Sequence, residues 1–286
     1  MLAGKLDRHR HSSVLFNRKL INFSEGNNKV TLDVDHHGTN EQYQCDYLIG
    51  ADGANSIVRR NLGIEFSGFT YEEKFFTLST EKPLEDYFSN LSYVNYVSDP
   101  EEWFVLLKVP SAWRILVPVS QKLDDKAIKS NDYVSDIFTR VLNASDPIET
   151  IHRTIYRVHQ RVVNKMHYGR IMLAGDSAHI NNPLGGFGMN GGLHDAQNLT
   201  SKIKEIWSGG DLSLLNLYSR QRKPVAETAI IQQADKNRKR MTEKDPKKRK
   251  EYLAEMQSIT TDREKLRKFL WKSSMFEGLE LASSIS

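Results

Sequence analysis

Residues 170–196 read RIMLAGDSAHINNPLGGFGMNGGLHDA, and this stretch gives the strongest signal in the sequence. Residues 170–174 are a mainly apolar run of the kind that forms a short buried strand, and Gly175 and Asp176 follow it. Ligands of open α/β sheets bind at the carboxyl ends of strands, so this carboxylate can accept a hydrogen bond from a sugar or ribitol hydroxyl. Glycines that let backbone approach a ligand closely come next, at Gly185, Gly186, Gly188 and Gly191. The helix predicted over residues 189–207 would turn free N–H groups and its dipole toward an anionic ligand.

One pattern inside this stretch is interpreted as a coincidence. Residues 186–191 match G-x-G-x-x-G, and Asp211 lies twenty residues beyond them. A nucleotide fingerprint must lie directly on a strand-to-helix turn. Here the segment 177–185 separates the strand from the glycines, so the match is not taken as a dinucleotide site.

A second stretch, residues 46–59, has a related form: DYLIGADGANSIVR. Its apolar run 47–51 predicts a buried parallel strand, and Asp52 with Gly53 predicts a turn after it. Asn55 or Ser56 then caps a short helix that carries a basic residue, Arg59. Taken alone, this stretch is equally consistent with an ordinary β-turn.

The remaining chain predicts sheet, then helix. Val30, Leu32 and Val34 alternate with polar residues, as in a half-buried strand. Residues 63–157 are dense in aromatic and β-branched side chains with polar breaks, which predicts an antiparallel sheet. One helix interrupts this sheet, with Asn131 as its predicted N-cap. Beyond residue 207 the composition is helical, and Pro224 is expected to start or kink a helix.

Composition excludes several classes of protein. The 286 residues contain a single cysteine, Cys45, which excludes an internal disulfide framework and a cysteine-built zinc site. No apolar run reaches about 18 residues, and the start has no secretory signal, so we expect a cytoplasmic protein. We also expect no bound metal. The net charge of +4 comes mainly from residues 236–250. We expect this run to be a solvated helix face; nucleic-acid binding is disfavoured because Tyr252 is its only nearby aromatic residue.

The two stretches together resemble the FAD-dependent monooxygenases of the p-hydroxybenzoate hydroxylase fold. The family motif D-G-x-x-S-x-x-R is matched by Asp52, Gly53, Ser56 and Arg59. The family motif G-D-x-A-H-x-x-x-P, with its glycine loop, Asn and later Asp, is matched by Gly175, Asp176, Ala178, His179, Pro183, Gly186, Gly188, Asn190 and Asp195. Residues 156–161 are similar to the strand that leads into this motif, and residues 217–224 are similar to the Y-x-x-x-R-x-P stretch that follows it.

This resemblance implies a mixed α/β (α+β) fold. A partial Rossmann-like FAD-binding domain would carry an inserted antiparallel-sheet substrate domain and C-terminal helices. The implied boundaries place the D-G motif in residues 1–62, the substrate domain in 63–158, the G-D motif in 159–230 and a helical segment in 231–286.

The resemblance also implies an enzyme that uses FAD, NAD(P)H and O₂. It would hydroxylate an aromatic or similar electron-rich small molecule through a flavin C4a-hydroperoxide. The residues implied to bind the cofactor are Asp52, Gly53, Arg59, Gly175, Asp176, Pro183, Gly185, Gly186, Phe187, Gly188, Met189 and Asn190. Asp176 would hold the ribityl or pyrophosphate region, and residues 183–190 would line the isoalloxazine. No catalytic residue is assigned, and His179 is expected to cap or pack rather than to transfer protons.

One departure from the family pattern leaves alternatives open. Family members begin with a strand, a G-x-G-x-x-G turn and a helix, whereas the glycines before Asp52 in this chain are isolated. We therefore expect an N-terminally truncated monooxygenase. The alternatives are a non-catalytic remnant or interaction protein of the same fold, and a basic binding module that acts through residues 236–250. Substrate identity, the choice of NADH or NADPH and the oligomeric state stay open.

Overall fold

The computed structural model describes residues 2–144 and 147–286. Its strands are β1 (Lys19–Glu25), β2 (Val30–His36), β3 (Thr39–Cys45), β4 (Leu48–Gly50), β5 (Phe66–Thr80), β6 (Val94–Val97), β7 (Phe104–Val109), β8 (Ala112–Ser120), β9 (His152–Val163), β10 (His167–Tyr168), β11 (Ile171–Leu173) and β12 (His179–Ile180). Its α-helices are α1 (Leu2–Asp7), α2 (Ile57–Asn61), α3 (Asp125–Ile128), α4 (Asn131–Leu142), α5 (Phe187–Trp207), α6 (Ser213–Val225), α7 (Gln233–Thr242), α8 (Pro246–Thr261), α9 (Arg263–Ser273) and α10 (Phe276–Ser283).

The two strands that precede the motifs pair with each other. β4 runs parallel to β11, and Gly50 is paired with Leu173, so both strands end at the same edge of the sheet. The sheet order is β10–β11–β4. The parallel pairing predicted from residues 47–51 is confirmed, but the predicted burial is wrong for Ile49, which is 41% exposed. Within the described ranges β4 has a partner strand on one side only and so forms an edge of this sheet.

The region between the motifs forms the predicted antiparallel sheet. Its order is β12–β9–β5–β8–β7–β6, and the long strand β5 pairs with both β8 and β9. A bulge interrupts the β5–β9 ladder between Thr70 and Lys74. Helix α4 covers one face, where Ile137 and Phe138 pack with Phe76 and Ile115 in a fully buried cluster. Because helix α4 covers this face of the sheet, the opposite face is the one that packs against the motifs.

A separate three-stranded sheet, β1–β2–β3, precedes the first motif. The alternation at Val30 to Val34 forms β2 as predicted, with Val30 and Val34 buried. His37 and Gly38 have positive φ angles and make the tight turn into β3. Helix α1 was not expected, because residues 2–7 lack the apolar periodicity that signals a helix.

A long helical stretch links the second motif to the C-terminal helices. Pro224 lies inside α6, and a π-helical segment, Ala226–Gln232, joins α6 to α7. Proline lacks an N–H and removes one helical hydrogen bond, which explains why the regular α-helix is interrupted there. None of the described helices is both long and apolar enough to cross a membrane. This segment and β9 span two of the domain boundaries inferred from sequence, at 230/231 and 158/159, and those boundaries stay a prediction.

Two helix starts differ from the sequence-based expectation. The N-cap of α4 is Ser130 rather than Asn131: its backbone is extended and its hydroxyl accepts a hydrogen bond from the Tyr133 N–H at 3.3 Å. Helix α5 begins at Phe187, two residues before the predicted start, with Gly186 as N-cap. Serine and asparagine cap helices equally well, so neighbouring candidates are separated only by the backbone of the preceding turn.

Replacing the observed cap should therefore destabilise the protein, and replacing the expected one should not. We predict that Ser130→Ala lowers the free energy of unfolding by about 1 kcal/mol, because it removes the acceptor of a free helix N–H. The matched control, Asn131→Ala, should change it by less than about 0.5 kcal/mol, as at an ordinary exposed site. Urea denaturation followed by circular dichroism measures both. A larger loss for Asn131→Ala would place the cap where the sequence suggested.

Candidate cofactor site

The two motifs form adjacent turns at the shared edge of β4 and β11. The Ala174 N–H donates to the Gly50 carbonyl at 3.0 Å, which continues the parallel pairing past the end of β11. The Ser177 hydroxyl donates to the same Gly50 oxygen at 2.5 Å and is completely buried. The fold therefore brings together two segments that lie more than 120 residues apart in the chain.

Asp52 caps the helix of the first motif. Its carboxylate accepts hydrogen bonds from the N–H groups of Ile57 at 2.7 Å and Val58 at 3.3 Å. Ser56 adds a second cap, because its hydroxyl accepts from the Arg59 N–H at 2.9 Å. Gly53 has a φ of 79°, a conformation that favours glycine. The stretch thus forms a local turn, the alternative that the sequence had left open, and the Asp52 residue is exposed on the surface.

Arg59 joins the two motifs. Its guanidinium donates to the carbonyl oxygens of Ala54 at 2.7 Å and Ser177 at 2.9 Å. The Phe66 ring lies beneath it, 3.9 Å from the guanidinium carbon, and the residue is only 6% exposed. Burial lowers the pKa of this guanidinium. The described contacts make Arg59 a tie between the turns; its predicted contact with FAD stays a prediction.

Asp195 is the buried centre of the second motif. One carboxylate oxygen accepts from the Gly175 N–H at 3.0 Å and from His179 Nε2 at 2.7 Å. The other accepts from Arg222 Nε at 2.7 Å, and all three side chains are essentially inaccessible to water. The carboxylate therefore fixes the turn after β11, helix α5 and helix α6 relative to one another.

The charge balance in this cluster favours the ionised carboxylate. Burial alone raises the pKa of Asp195, but the hydrogen bond from His179 and the charges of His179 and Arg222 outweigh it and lower the pKa to about 2. His179 Nδ1 is buried and finds no hydrogen-bond partner within the described residues. His179 is thus buried and hydrogen-bonded to Asp195, which agrees with the packing role expected for it.

The stretch that follows α5 completes the cluster. The Tyr218 hydroxyl donates to the Leu173 carbonyl at 2.7 Å, at the end of β11. Tyr218 and Arg222 are the first and fifth residues of the Y-x-x-x-R-x-P match, one helical turn apart, so they face the same side of α6. The sequence match identified these two residues but gave them no role; the structure shows that they hold the strand and the carboxylate of the second motif.

The N-terminus of α5 has the features of an anion site. Gly186 is its N-cap, with a φ of 69°, and no side chain of the described residues caps the helix. The first turn has no acidic residue, while Met189 and Asn190 are exposed. The first N–H groups of any helix lack intrahelical partners and attract negative charge. An anionic, hydrogen-bonding cofactor fits this end of the helix.

Asp176 lies on the turn that packs against the same helix. A Cβ atom placed on Gly192 would be 3.3 Å from the Gly175 Cα, so the turn and α5 are in close backbone contact. Asp176 itself is exposed. Its carboxylate is therefore open to solvent on a turn that contacts α5 at Gly192, and it can accept hydrogen bonds from ligand hydroxyls.

Side chains from three elements hold the loop that leads into α5. The Gly185 N–H donates to the Tyr96 hydroxyl at 2.9 Å, and Asn237 of α7 donates to the Leu184 carbonyl at 3.3 Å. Asn182 is fully buried; its amide donates to the Tyr71 hydroxyl at 3.2 Å, and its oxygen accepts from the Leu184 N–H at 3.1 Å. The loop is thus fixed from below by the antiparallel sheet and from the side by α7.

Tyr71 lies beneath this loop, and its side chain makes several polar contacts there. Its hydroxyl donates to Gln160 at 2.5 Å and lies 3.3 Å from Asp235, while the Arg238 guanidinium lies 4.6 Å from its ring centre. Burial is the main cause that raises its pKa to about 12. Tyr71 is therefore a neutral hydrogen-bonding support of the loop at neutral pH.

The remaining predicted site residues lie in two environments: the partly exposed loop with the start of α5, and the buried core. Pro183 is half-buried, and its carbonyl accepts from the Gly186 N–H at 3.1 Å. The Phe187 side chain is buried in the core, so only its backbone faces the helix end. Gly188 lies beside Asn181, whose side-chain oxygen would be 3.3 Å from an added Cβ. In the described part of the chain no group of three or more His, Cys, Asp or Glu residues could hold a metal ion.

Comparisons with known proteins agree with this geometry. The family model described as "FAD binding domain" matches residues 1–234. The chain is 30% identical over 263 residues to para-nitrophenol 4-monooxygenase from Pseudomonas sp. (strain WBC-3), which covers 90% of this chain and 64% of that protein. It is also 30% identical over 229 residues to 6-hydroxy-3-succinoylpyridine 3-monooxygenase HspB from Pseudomonas putida (strain DSM 28022 / S16), covering 78% and 57%.

Solved structures show the same fold. The crystal structure of p-nitrophenol 4-monooxygenase PnpA from Pseudomonas putida DLL-E4 matches with a TM-score of 0.88 and 26% identity, over 96% of this chain and 70% of that one. Aklavinone-11 hydroxylase in complex with FAD and aklavinone matches with a TM-score of 0.74 and 21% identity, over 82% and 45%. The chain belongs to the FAD binding domain family, and its fold is that of the FAD-dependent aromatic hydroxylases, as the two motifs predicted. It spans less than two thirds of the length of the two curated relatives named above.

The two acids of the second motif should have separable effects on stability. We predict that Asp195→Ala lowers the free energy of unfolding by about 3–5 kcal/mol, because it leaves the Arg222 charge buried and unpaired. Asp176→Ala is the matched control: its carboxylate is exposed, so the change should stay within about 0.5 kcal/mol. Urea denaturation of the three proteins measures this, and a small loss for Asp195→Ala would show that the cluster does not hold the fold.

Proposed function

We propose that this chain is the FAD-binding and substrate-binding part of a flavin-dependent aromatic hydroxylase. The reaction uses NAD(P)H as the two-electron reductant and O₂ as the oxygen donor; one oxygen atom enters the substrate and the other leaves as water. The substrate is a small aromatic or similarly electron-rich molecule. The names of the two monooxygenases described above indicate such substrates for those proteins.

The observation that carries this proposal is the open N-terminus of α5. No described side chain caps its N–H groups, and the exposed Asp176 lies on the turn that contacts the same helix at Gly192. A flavin offers both partners that such a site needs: hydroxyl groups on the ribityl chain and a ring that gains negative charge when it is reduced. Bound FAD supplies the redox chemistry, and the chain supplies binding and orientation.

In this proposal each part of the site has its own role in binding the flavin. The helix end stabilises negative charge near it, because its dipole and free N–H groups point there. Asp176 accepts from ligand hydroxyls. Tyr96, Asn237 and Asn182 fix the loop, so that its backbone N–H groups do not need to reorganise when charge develops.

The truncation expected from the sequence remains part of this proposal. In it, the nucleotide half of FAD is held by a unit outside the 286 residues. Its support is the free side of β4, with Ile49 exposed next to the first motif, for which no described strand provides a partner. The cytoplasmic location and the NAD(P)H co-substrate also belong to the proposal.

The alternative is a protein that keeps the fold without binding the cofactor. The structure offers one discriminating feature: a remnant has no need for an acid-free, uncapped helix end beside an exposed carboxylate. A direct FAD titration separates the two functions.

We predict that the purified chain quenches FAD fluorescence on binding. Asp176→Ala should raise the dissociation constant about tenfold or more, because it removes a charged acceptor from ligand hydroxyls. Asp132→Ala is the matched control, since Asp132 is an exposed acid at the start of α4, far along the chain from both motifs.

Two outcomes would count against the proposal. Equal FAD affinity for the wild-type chain and Asp176→Ala would remove Asp176 from the site. A folded chain that leaves FAD fluorescence unchanged would contradict flavin binding by these 286 residues alone.

A further inference from the structure

A cavity of about 330 Å³ separates helices α8 and α9 from the rest of the protein. One wall comes from the body of the protein and includes Tyr96 of β6 and Met241 of α7. The other wall comes from the two helices and includes Tyr252, Met256 and Phe269. The two walls therefore enclose an unfilled space, and the helices lose the contacts that a closely packed interface would give them.

Helices α8 and α9 are attached to the body mainly at their ends. Both helices lie wholly in the described part of the chain, and none of the 16 residues of α8 or the 11 residues of α9 is buried. The flanking residues are anchored, since Met241 is 6% exposed and Met275 is 2% exposed. The single residue Asp262 joins the two helices and caps α9, because its carboxylate accepts from the Glu264 N–H at 2.9 Å. We call residues 246–273 the strap.

A break in helical structure gives the strap a pivot at each end. At one end Glu243 and Asp245, between α7 and α8, both have extended backbones. At the other end Met275, between α9 and α10, has a φ of 64°, which is rare for a bulky residue. Hinges in proteins are a few residues at the ends of elements that absorb changes in backbone angle. The two breaks therefore allow the strap to move while the anchored segments stay in place.

Two polar contacts hold the strap against the body. Arg249 of the strap donates to the Ser98 carbonyl at 2.7 Å, and Arg240 of the body donates to Glu255 at 2.7 Å. The Glu255 side chain is 46% exposed, and ion pairs that are open to water contribute little stability. Arg240 and Arg249 line the cavity from opposite walls, and no described carboxylate lines it, so their like charges disfavour tight closure.

The wall that belongs to the body also supports the loop that leads into α5. Tyr96 accepts the hydrogen bond from the Gly185 N–H, and Asn237, which also lines the cavity, donates to the Leu184 carbonyl. Met241 packs in one buried cluster with Leu184. A movement of the strap therefore changes the access of solvent to the side chains that hold this loop.

We propose that the strap is a lid that moves between a closed and an open position over this cavity. It pivots at residues 243–245 and 274–275, and Arg249 and Glu255 are its latches, because they make the polar contacts with the body. Opening gives the cavity an entrance and exposes Met241, and closure shields both from water. The inference goes beyond the proposed function, since it concerns the movement of two helices and needs no flavin.

Pulsed electron paramagnetic resonance of the full chain measures this movement. Spin labels at Gln257→Cys on α8 and Ser135→Cys on α4, both exposed positions, report the distance from strap to body in a Cys45→Ser background. We expect two distances. Because Arg249→Ala removes the donor to Ser98, it should shift the population about threefold or more toward the distance that differs from the closed structure.

A second pair of labels is the matched control. Ser135→Cys and Lys204→Cys are both exposed and both lie on the body, on α4 and α5. This pair should give one distance, and Arg249→Ala should leave it unchanged.

Thiol labelling tests whether the movement opens the cavity. Met241→Cys places a thiol on the cavity wall, and Val141→Cys places one in the cluster beneath α4, where the native residue is 7% exposed. Arg249→Ala should speed the reaction of Met241→Cys with Ellman's reagent about tenfold or more and leave Val141→Cys unchanged. Arg263→Ala, at an exposed arginine of the strap, should change neither rate.

Thermal melting of each variant confirms folding. If Arg249→Ala does not fold, Glu255→Gln replaces it, since this change removes the ion pair with Arg240 and nearly keeps the shape. A single strap-to-body distance that folded latch variants leave unchanged would overturn the proposal. Equal acceleration at positions 241 and 141 would also overturn it, because it would show unfolding of the whole protein.

An FAD titration of the same samples keeps the two proposals apart. A chain that binds FAD while its strap stays fixed would refute the lid and leave the proposed function standing. A strap that moves in a chain that does not bind FAD would support the lid and count against the flavin function of this chain.

Discussion

The buried carboxylate of Asp195 is the constraint on which the site depends. Helix α5 carries it, and it accepts hydrogen bonds from the Gly175 N–H in the turn after β11, from His179 of β12 and from Arg222 of helix α6. A buried charge is stable only when it is paired and hydrogen-bonded, so these elements have little freedom to move apart. The open end of α5 and the exposed Asp176 keep their relative positions because of this cluster.

The sequence predicts the parts of the site that local chemistry determines. An apolar run followed by an acid and a glycine occurs twice, and the structure confirms that the two strands are parallel and end together. The antiparallel sheet follows equally well from its aromatic and β-branched composition. The sequence also points to Arg222 through its motif, but it does not show that the guanidinium turns inward toward Asp195.

What the sequence does not predict depends on contacts between distant segments. From the sequence, Arg59 is a cation beside a turn. The structure shows that it also donates a hydrogen bond to the Ser177 carbonyl and so links the two motifs. Ile49 reads as buried, yet the described sheet leaves it exposed. The basic run reads as a solvated face, whereas the packing of α7 and α8 turns Arg240 and Arg249 toward an apolar cavity. Helix α7 therefore serves both the loop, through Asn237, and the cavity, through Arg240.

We propose that the flavin binds at the end of α5 that the Asp195 cluster holds in place. Hydrogen exchange of the backbone amides of Phe187, Gly188 and Met189, measured with and without FAD, tests this proposal. No described side chain caps these N–H groups, so we expect fast exchange in the free chain and marked slowing when FAD is bound. Saturating FAD that binds but leaves exchange at these three amides unchanged would contradict the proposal.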